Sequence, residues 1–392
     1  MKRRIESEMI HGGSKQHDYN GSLTTPIFQT STFAFSTAEQ GEKRFAGAED
    51  GFIYSRLGNP TVRMLEERIA VLEQGEKGLA FASGMAAVSA VLTSLTKAGD
   101  HILCSKGVYG CTYGLLQWLK EKYSITHSFS ALSSEDRLEE TIAEKTPSCI
   151  FIETPINPTM TVLDLEMIAR VAHSSGIPVV VDNTFCSPYL QQPLTLGCDI
   201  VLHSATKYIS GHGDVVAGLV VGKDSYISVL AKQEQKDSGG ILAPFDAWLL
   251  LRGLKTLHIR MDRHTSNATW MAEKLLQHPK VDRVFYPGNL TGSEGEIVEK
   301  QMRQAGGVLS FDVKGTKQTA QQMMNHLKMI KIAVSLGDAE TLIQHPATMT
   351  HAVIPEHDRV KMGISDTMVR LSVGLESKED IWADIVQALD RM

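Results

Sequence analysis

A chain of 392 residues is more than twice the usual domain length of about 150, so at least two domains are expected. Hydrophobic residues make up 42% and charged residues 21%, with 32 Gly and 13 Pro, which excludes a disordered or collagen-like chain. The 39 Lys and Arg against 45 Asp and Glu leave a net charge of −6, so no chain-wide basic field is present to attract a phosphate backbone, and nucleic acid is not an expected partner.

Met1-Lys2-Arg3-Arg4 has the basic start of a signal peptide, but Ile5 to Lys15 stays charged and supplies no apolar core, so secretion is not expected. The first fifty residues are polar and punctuated, from His17-Asp18-Tyr19-Asn20-Gly21 to Gly47-Ala48-Glu49-Asp50-Gly51. They hold neither a period of 2 nor one of 3.6, and residues 1–60 read as an extended arm. The uncharged run Gly78 to Thr96 approaches membrane-spanning length, yet Ser83, Gly84, Ser89, Thr93 and Ser94 interrupt it. It reads as a buried strand-to-helix unit, with no membrane partner. Cys104, Cys111, Cys149, Cys186 and Cys198 are odd in number and never in a CxxC spacing, which suits reduced thiols in a cytoplasmic protein better than disulfides or structural zinc.

From about 60 to 225, fully apolar runs at 78–82, 101–104, 149–152, 178–181, 199–202 and 217–221 alternate with helical stretches such as 163–174. This pattern predicts an α/β large domain over 61–255, built on a mostly parallel sheet covered on both faces. Beyond about 255 the pattern changes to a long helix, strands near 281–286, 307–313, 331–336 and 368–374, and a closing helix at 377–390. Residues 256–392 are therefore expected to form a smaller α+β domain.

Ligands of open α/β sheets bind beyond the carboxyl ends of the strands. There the sequence places Glu153-Thr154-Pro155-Ile156-Asn157-Pro158, Asp182-Asn183-Thr184 and His203-Ser204-Ala205-Thr206-Lys207. The first run ends in Ser83-Gly84-Met85-Ala86-Ala87, a turn into a helix start whose free N–H groups suit a phosphate. Lys207, directly after a buried run, is a candidate for a desolvated amine of lowered pKa, a nucleophile for an aldehyde. With Asp182 to keep a pyridine nitrogen protonated, the set meets the needs of pyridoxal phosphate (PLP).

Asp182-Asn183-Thr184-Phe185 and Ser204-Ala205-Thr206-Lys207-Tyr208-Ile209-Ser210-Gly211-His212-Gly213-Asp214 resemble the cystathionine/methionine γ-lyase family, the PLP-dependent enzymes of Cys/Met metabolism. The likeness extends to Tyr54-Ser55-Arg56-Leu57-Gly58-Asn59-Pro60-Thr61, Val108-Tyr109-Gly110-Cys111-Thr112, Ser335-Leu336-Gly337 and Arg370-Leu371-Ser372-Val373-Gly374. It implies the aspartate-aminotransferase-like fold (fold type I), with Lys207 holding the cofactor and moving protons, Asp182 facing the ring nitrogen and Tyr109 stacking on the ring. Gly84, Met85, Ser204 and Thr206 would bind the phosphate, joined by Tyr54 and Arg56 from a neighbouring subunit of a homotetramer. Arg370 is the expected partner of the substrate α-carboxylate, with Ser335 and Asn157 beside it.

Three features resemble the methionine γ-lyase branch: Cys111, Lys236-Asp237 ahead of Gly239-Gly240, and an apolar Val334 where cystathionine-handling branches often carry a glutamate. They imply a sulfur amino acid substrate and α,γ-elimination of L-methionine, with Tyr109 as the acid and cationic neighbours such as Arg56 lowering its pKa. Cystathionine or homocysteine cleavage, γ-replacement on activated homoserines, and a non-catalytic binding protein of this fold are the alternatives. His203, His212, His345 and His351 form no HExxH or comparable set, so no metal is expected.

Overall fold

The computed structural model describes residues 3–13 and 19–392. The Met1-Lys2 start and His17-Asp18 lie outside them.

Seven strands form the larger sheet: Lys77–Phe81 (β1), His101–Ser105 (β2), Thr126–Ser130 (β3), Cys149–Glu153 (β4), Val179–Asp182 (β5), Ile200–Ser204 (β6) and Gly218–Gly222 (β7). Their order is β1-β7-β6-β5-β4-β2-β3, parallel except that β7 runs against both neighbours. The sheet is buried on both sides, which is why its central strands read as continuous apolar runs. Phe151, Val180 and Leu202 pack on one face with Val88, Val91 and Leu92, while Ile152, Val179 and Val181 pack on the other with Leu165, Ile168 and Ala172. The period of two then carries Glu153, Asp182 and Ser204 onto the face of Phe151, Val180 and Leu202.

After Pro244–Leu254 and the long helix Leu257–Leu276, a five-stranded sheet follows: Val281–Phe285 (β8), Val308–Val313 (β9), Lys331–Ile332 (β10), Leu342–Gln344 (β11) and Met368–Ser372 (β12). The order is β10-β11-β12-β9-β8, and helix Lys378–Asp390 closes the chain. The strand expected over 331–336 stops at Ile332, because Ser335 at φ 100 and Gly337 at φ 79 turn the chain. Two strands were not foreseen: β3, which is polar and half-buried at the sheet edge, and β11, which has three residues.

The first sixty residues are not extended throughout, which corrects the sequence expectation. Helix Ile5–His11 is too short to display a period and is held by tertiary contact: Met9 is buried, and Arg68 donates to the carbonyls of Gly12 at 2.8 Å and Met9 at 3.2 Å. Helix Ala38–Phe45 begins with Thr37 accepting from the Gln40 N–H while the Gln40 side chain accepts from the Ser36 N–H. This is close to a Thr-x-x-Gln capping box, except that Gln40 reaches one residue further back, to Ser36, instead of the N-cap Thr37. The described residues between these helices run without regular structure, apart from a bridge of Thr32 to Tyr54.

Arg68 is 5% exposed, and its charge-assisted bonds are what hold the N-terminal helix to helix Pro60–Leu72. Arg68→Ala is expected to cost about 2 kcal/mol of stability, read from the urea midpoint at unchanged slope.

Candidate active site

A cavity of 280 Å³ opens at the carboxyl ends of β4, β5 and β6 and is closed on its far side by the second sheet. Lys207 lines it from the turn after β6, half-buried, with its Nζ donating to Ser335 Oγ at 3.0 Å. Burial, and then the nearby Arg370 charge, lower the Lys207 pKa, while Asp338 and Asp182 pull it back up. Its amine is thereby nearer to the uncharged form that attacks an aldehyde.

Asp182 lines the cavity from the end of the neighbouring strand β5. Thr184 clamps it, donating to Asp182 Oδ1 from its main chain at 3.0 Å and from its hydroxyl at 2.5 Å. The same hydroxyl accepts the Ser204 N–H at 2.8 Å, which ties the ends of β5 and β6 together. Burial raises the Asp182 pKa; the Thr184 bonds, His203 and Lys207 oppose the rise.

The phosphate side is built by close backbone approach. Ser83 caps helix Gly84–Ser94 by accepting from the Ala86 N–H at 3.0 Å, leaving the first-turn N–H groups of Gly84 and Met85 facing outward from a helix start. A Cβ on Gly84 would lie 2.9 Å from Ser204 Cβ, so only glycine lets the turn sit against that strand end. Thr206 exchanges bonds with Ala217, its hydroxyl accepting the N–H at 3.0 Å and donating to the carbonyl at 3.3 Å.

On the substrate side Arg370, 4% exposed, donates to Asn157 Oδ1 at 3.1 Å and to the Ser335 carbonyl at 2.6 Å. Burial pulls its pKa down to about 10, so it stays cationic at neutral pH, and no carboxylate among the described residues pairs with it. Asn157, Ser335 and Arg370 are thus brought together as expected from sequence. Tyr109 and Val334 also line the cavity.

The electrostatics of Tyr109 within its own chain are set by packing. Burial, then the neighbouring Cys111 thiol, push its phenol up to about 12, with Arg370 pulling down. The expected lowering by Arg56 does not occur within one subunit, because that guanidinium lies elsewhere, donating to the Lys236 carbonyl at 2.6 Å. Tyr54, Arg56, Cys111, Lys236 and Asp237 do not line the cavity; Lys236 and Asp237 pair with each other at 3.4 Å. Cys111 is exposed and reaches the site only through Tyr109.

Sequence reasoning assigned no role to Glu153, Thr184, Phe185 or Thr350, all of which line the cavity. For Glu153 and Thr184 the available signal was their place at strand ends; for Thr350 there was none. Of the histidines, His203 meets Glu73 at 2.6 Å with both fully buried, and no group of three metal-ligating side chains occurs among the described residues. Among those residues no helix is long and apolar enough to cross a membrane.

A buried amine and a carboxylate on adjacent strand ends, facing a glycine-shaped helix start, define a PLP-dependent enzyme of the α/β type. The chain belongs to the family of Cys/Met metabolism PLP-dependent enzymes, which matches residues 6–390. It is 46% identical to an L-methionine gamma-lyase of Fusobacterium nucleatum subsp. nucleatum, over 100% of this chain and 99% of that protein. It is 43% identical to a cystathionine gamma-lyase of Bacillus subtilis, over 98% of each. The crystal structure of cystathionine gamma-lyase from Lactobacillus plantarum complexed with L-serine superposes with a TM-score of 0.92 at 39% identity, covering 99% of both chains.

The residues fit the cofactor of this family: the cavity, the Lys207 amine at its rim and the Gly84 cradle are each of the kind it requires. Gly218 supports that cradle from β7, since a Cβ there would lie 2.2 Å from the Ser83 carbonyl oxygen. Gly218→Ala must displace the turn, so the PLP dissociation constant of the apoprotein is expected to rise at least about tenfold, measured by absorbance titration.

Proposed function

We propose that this chain catalyses α,γ-elimination of L-methionine, taking up one water and releasing methanethiol, 2-oxobutyrate and ammonia. The observation that carries this reading is the composition of the cavity wall. Arg370 offers one site for a carboxylate, and Val334 presents an apolar side chain where a longer substrate would place its far end. Methionine ends in an uncharged thioether and methyl group, which an apolar wall accepts. Cystathionine ends in a charged amino acid head, which the same wall leaves unpaired.

Lys207 would hold the cofactor aldehyde, Asp182 its ring nitrogen, and Gly84, Met85, Ser204 and Thr206 its phosphate. When bound, the cofactor supplies an electron sink for charge developing on the substrate carbons. Arg370, steadied by Asn157 and Ser335, orients the substrate through its carboxylate. Lys207, its amine brought nearer the uncharged form by burial, removes the protons at the α and then the β carbon. Tyr109, whose phenol stays protonated well past neutral pH, donates to the departing sulfur, and Cys111 tunes that phenol by its own bond to it. Cystathionine or homocysteine cleavage and γ-replacement on activated homoserines are the competing outcomes on the same residues.

Product analysis with methionine alone should yield methanethiol and 2-oxobutyrate in equal amounts, and Lys207→Ala should abolish both; negligible turnover of methionine beside rapid turnover of cystathionine would reject the assignment. Val334→Glu should lower kcat/KM for methionine by about tenfold or more and raise it for cystathionine.

We further read residues 1–60 as an arm that serves a neighbouring subunit, 61–255 as the cofactor domain and 256–392 as the smaller domain of a cytoplasmic homotetramer. The position of Tyr54 and Arg56 outside their own chain's cavity supports this division. If the arm works across subunits, mixing the inactive variants Lys207→Ala and Arg56→Ala through a denature-and-refold cycle should restore about a quarter of wild-type activity, because half of the dimers then carry one intact site.

A further inference from the structure

Glu153 ends β4 beside β2, and the connections from these two strands leave in opposite directions, toward β3 and toward β5. Such a switch point is where sheets of this kind bind ligands. The side chain is 7% exposed, lines the cavity, and accepts the Tyr109 N–H with both oxygens, at 2.9 and 3.0 Å. Tyr109 is the N-cap of helix Gly110–Tyr123 and caps it with no side-chain bond of its own. Glu153 therefore fixes the main chain from which the Tyr109 ring projects, and its own N–H is held by Ser105 Oγ at 3.1 Å.

In the sheet register Glu153 pairs with Asp182, so two carboxylates stand side by side on one face. The groups facing Glu153 are Asp182 from β5, Tyr109 and the Thr112 hydroxyl from the start of the helix, and Cys104 from β2; none is a cation. Asp182 has the two Thr184 donors and feels the charges of His203 and Lys207. Both carboxylates have hydrogen-bond donors, but only Asp182 has cationic groups beside it; of two buried carboxylates paired in register, the one near the cations keeps its charge at neutral pH and the other holds its proton.

We propose that Glu153 is a positioning residue that works as a neutral acid, fixing the main chain at Tyr109 and leaving Asp182 the one ionised carboxylate of the cavity. This rests on the roles proposed above for Tyr109 and Asp182. Burial and then the Asp182 charge push the Glu153 carboxyl up to about 8, in line with it. Because the folded protein holds this proton more tightly than the unfolded chain, whose carboxyl ionises near 4.5, the sign is set. The stabilising contribution is complete below pH 4.5 and is lost as the pH rises through about 8.

The test is infrared spectroscopy of the full-length protein, with and without cofactor. Glu66 is also pushed up, to about 7, so the band to read is the carboxylic acid carbonyl stretch that disappears between wild type and Glu153→Gln. That difference band should be present at pH 7 and fade toward pH 9, and Asp182→Asn should move its midpoint to lower pH by removing the like charge. Glu153→Gln, which keeps an uncharged acceptor, should hold kcat within about threefold, whereas Glu153→Ala should lose more than about tenfold in kcat with a smaller change in KM. No difference band at pH 7, a midpoint indifferent to Asp182→Asn, or a Gln variant as impaired as Ala would overturn the proposal. The infrared readout needs no substrate, so it stands apart from the choice of methionine over cystathionine.

Discussion

The guanidinium of Arg370 is the constraint on which the two sheets and the cavity between them depend. It projects from β12 of the smaller sheet, donates to Asn157 beyond the end of β4 in the larger one, and grips the Ser335 carbonyl in the loop leading from β10 to β11. A buried cation costs several kcal/mol when nothing compensates it, and here the compensation from within the chain is neutral oxygen alone. The fold therefore keeps a positive charge without an ionic partner at a cavity of small-molecule size, which is what the proposed binding of a substrate carboxylate would use. Ser335, held on one side by Arg370 and on the other by Lys207, sits at φ 100, a conformation that a serine adopts only when its surroundings impose it.

From that charge the proton chemistry divides. Lys207 and Tyr109 both line the cavity, and Arg370 acts downward on the pKa of both, yet their environments move them apart. Burial drives the amine toward its neutral form and the phenol toward its protonated form, because desolvation always disfavours whichever form is charged. One residue is thereby suited to take protons and the other to give one, near the same pH. The acidic pair beneath them follows the same rule: Glu153 and Asp182 are neighbours in register, both accept hydrogen bonds, and cationic groups stand beside Asp182 alone.

How much of this was legible in the sequence follows from where each signal resides. Strands buried on both faces, such as β4 to β7, announce themselves by composition, and Lys207 and Asp182 were exposed as candidates by standing at their ends. β3, with Thr126, Ser128 and Ser130 at a half-buried edge, carries no such run, and three residues of β11 are too few for any period. The helix over Ile5–His11 owes its order to Arg68, fifty-odd positions away, which local pattern does not reveal. In the site, Thr184 and Glu153 stood in the quoted motifs without a role, since only the register of β4 against β5 brings Glu153 beside Asp182. Within one chain, the upward pull on Tyr109 comes from burial and the Cys111 contact, which are products of packing that the sequence does not display.

On the proposed reading, substrate choice becomes a question of what the cavity wall around Val334 leaves unpaired. A fold shared by enzymes that cleave and enzymes that build sulfur amino acids cannot itself select among them, so selection falls to the few side chains that meet the distal end of the substrate. An apolar contact of the size of Val334 gains only a kcal/mol or two from a methyl group, about 1–3 kcal/mol at most. On that reading its larger effect is to offer no ionic partner: a charged head that reaches it meets a side chain that cannot pair with it. On the proposed reading, a preference for methionine over cystathionine would rest more on the cost imposed on the longer substrate than on attraction for the shorter one. Placing a carboxylate at position 334 is the change that reverses that cost.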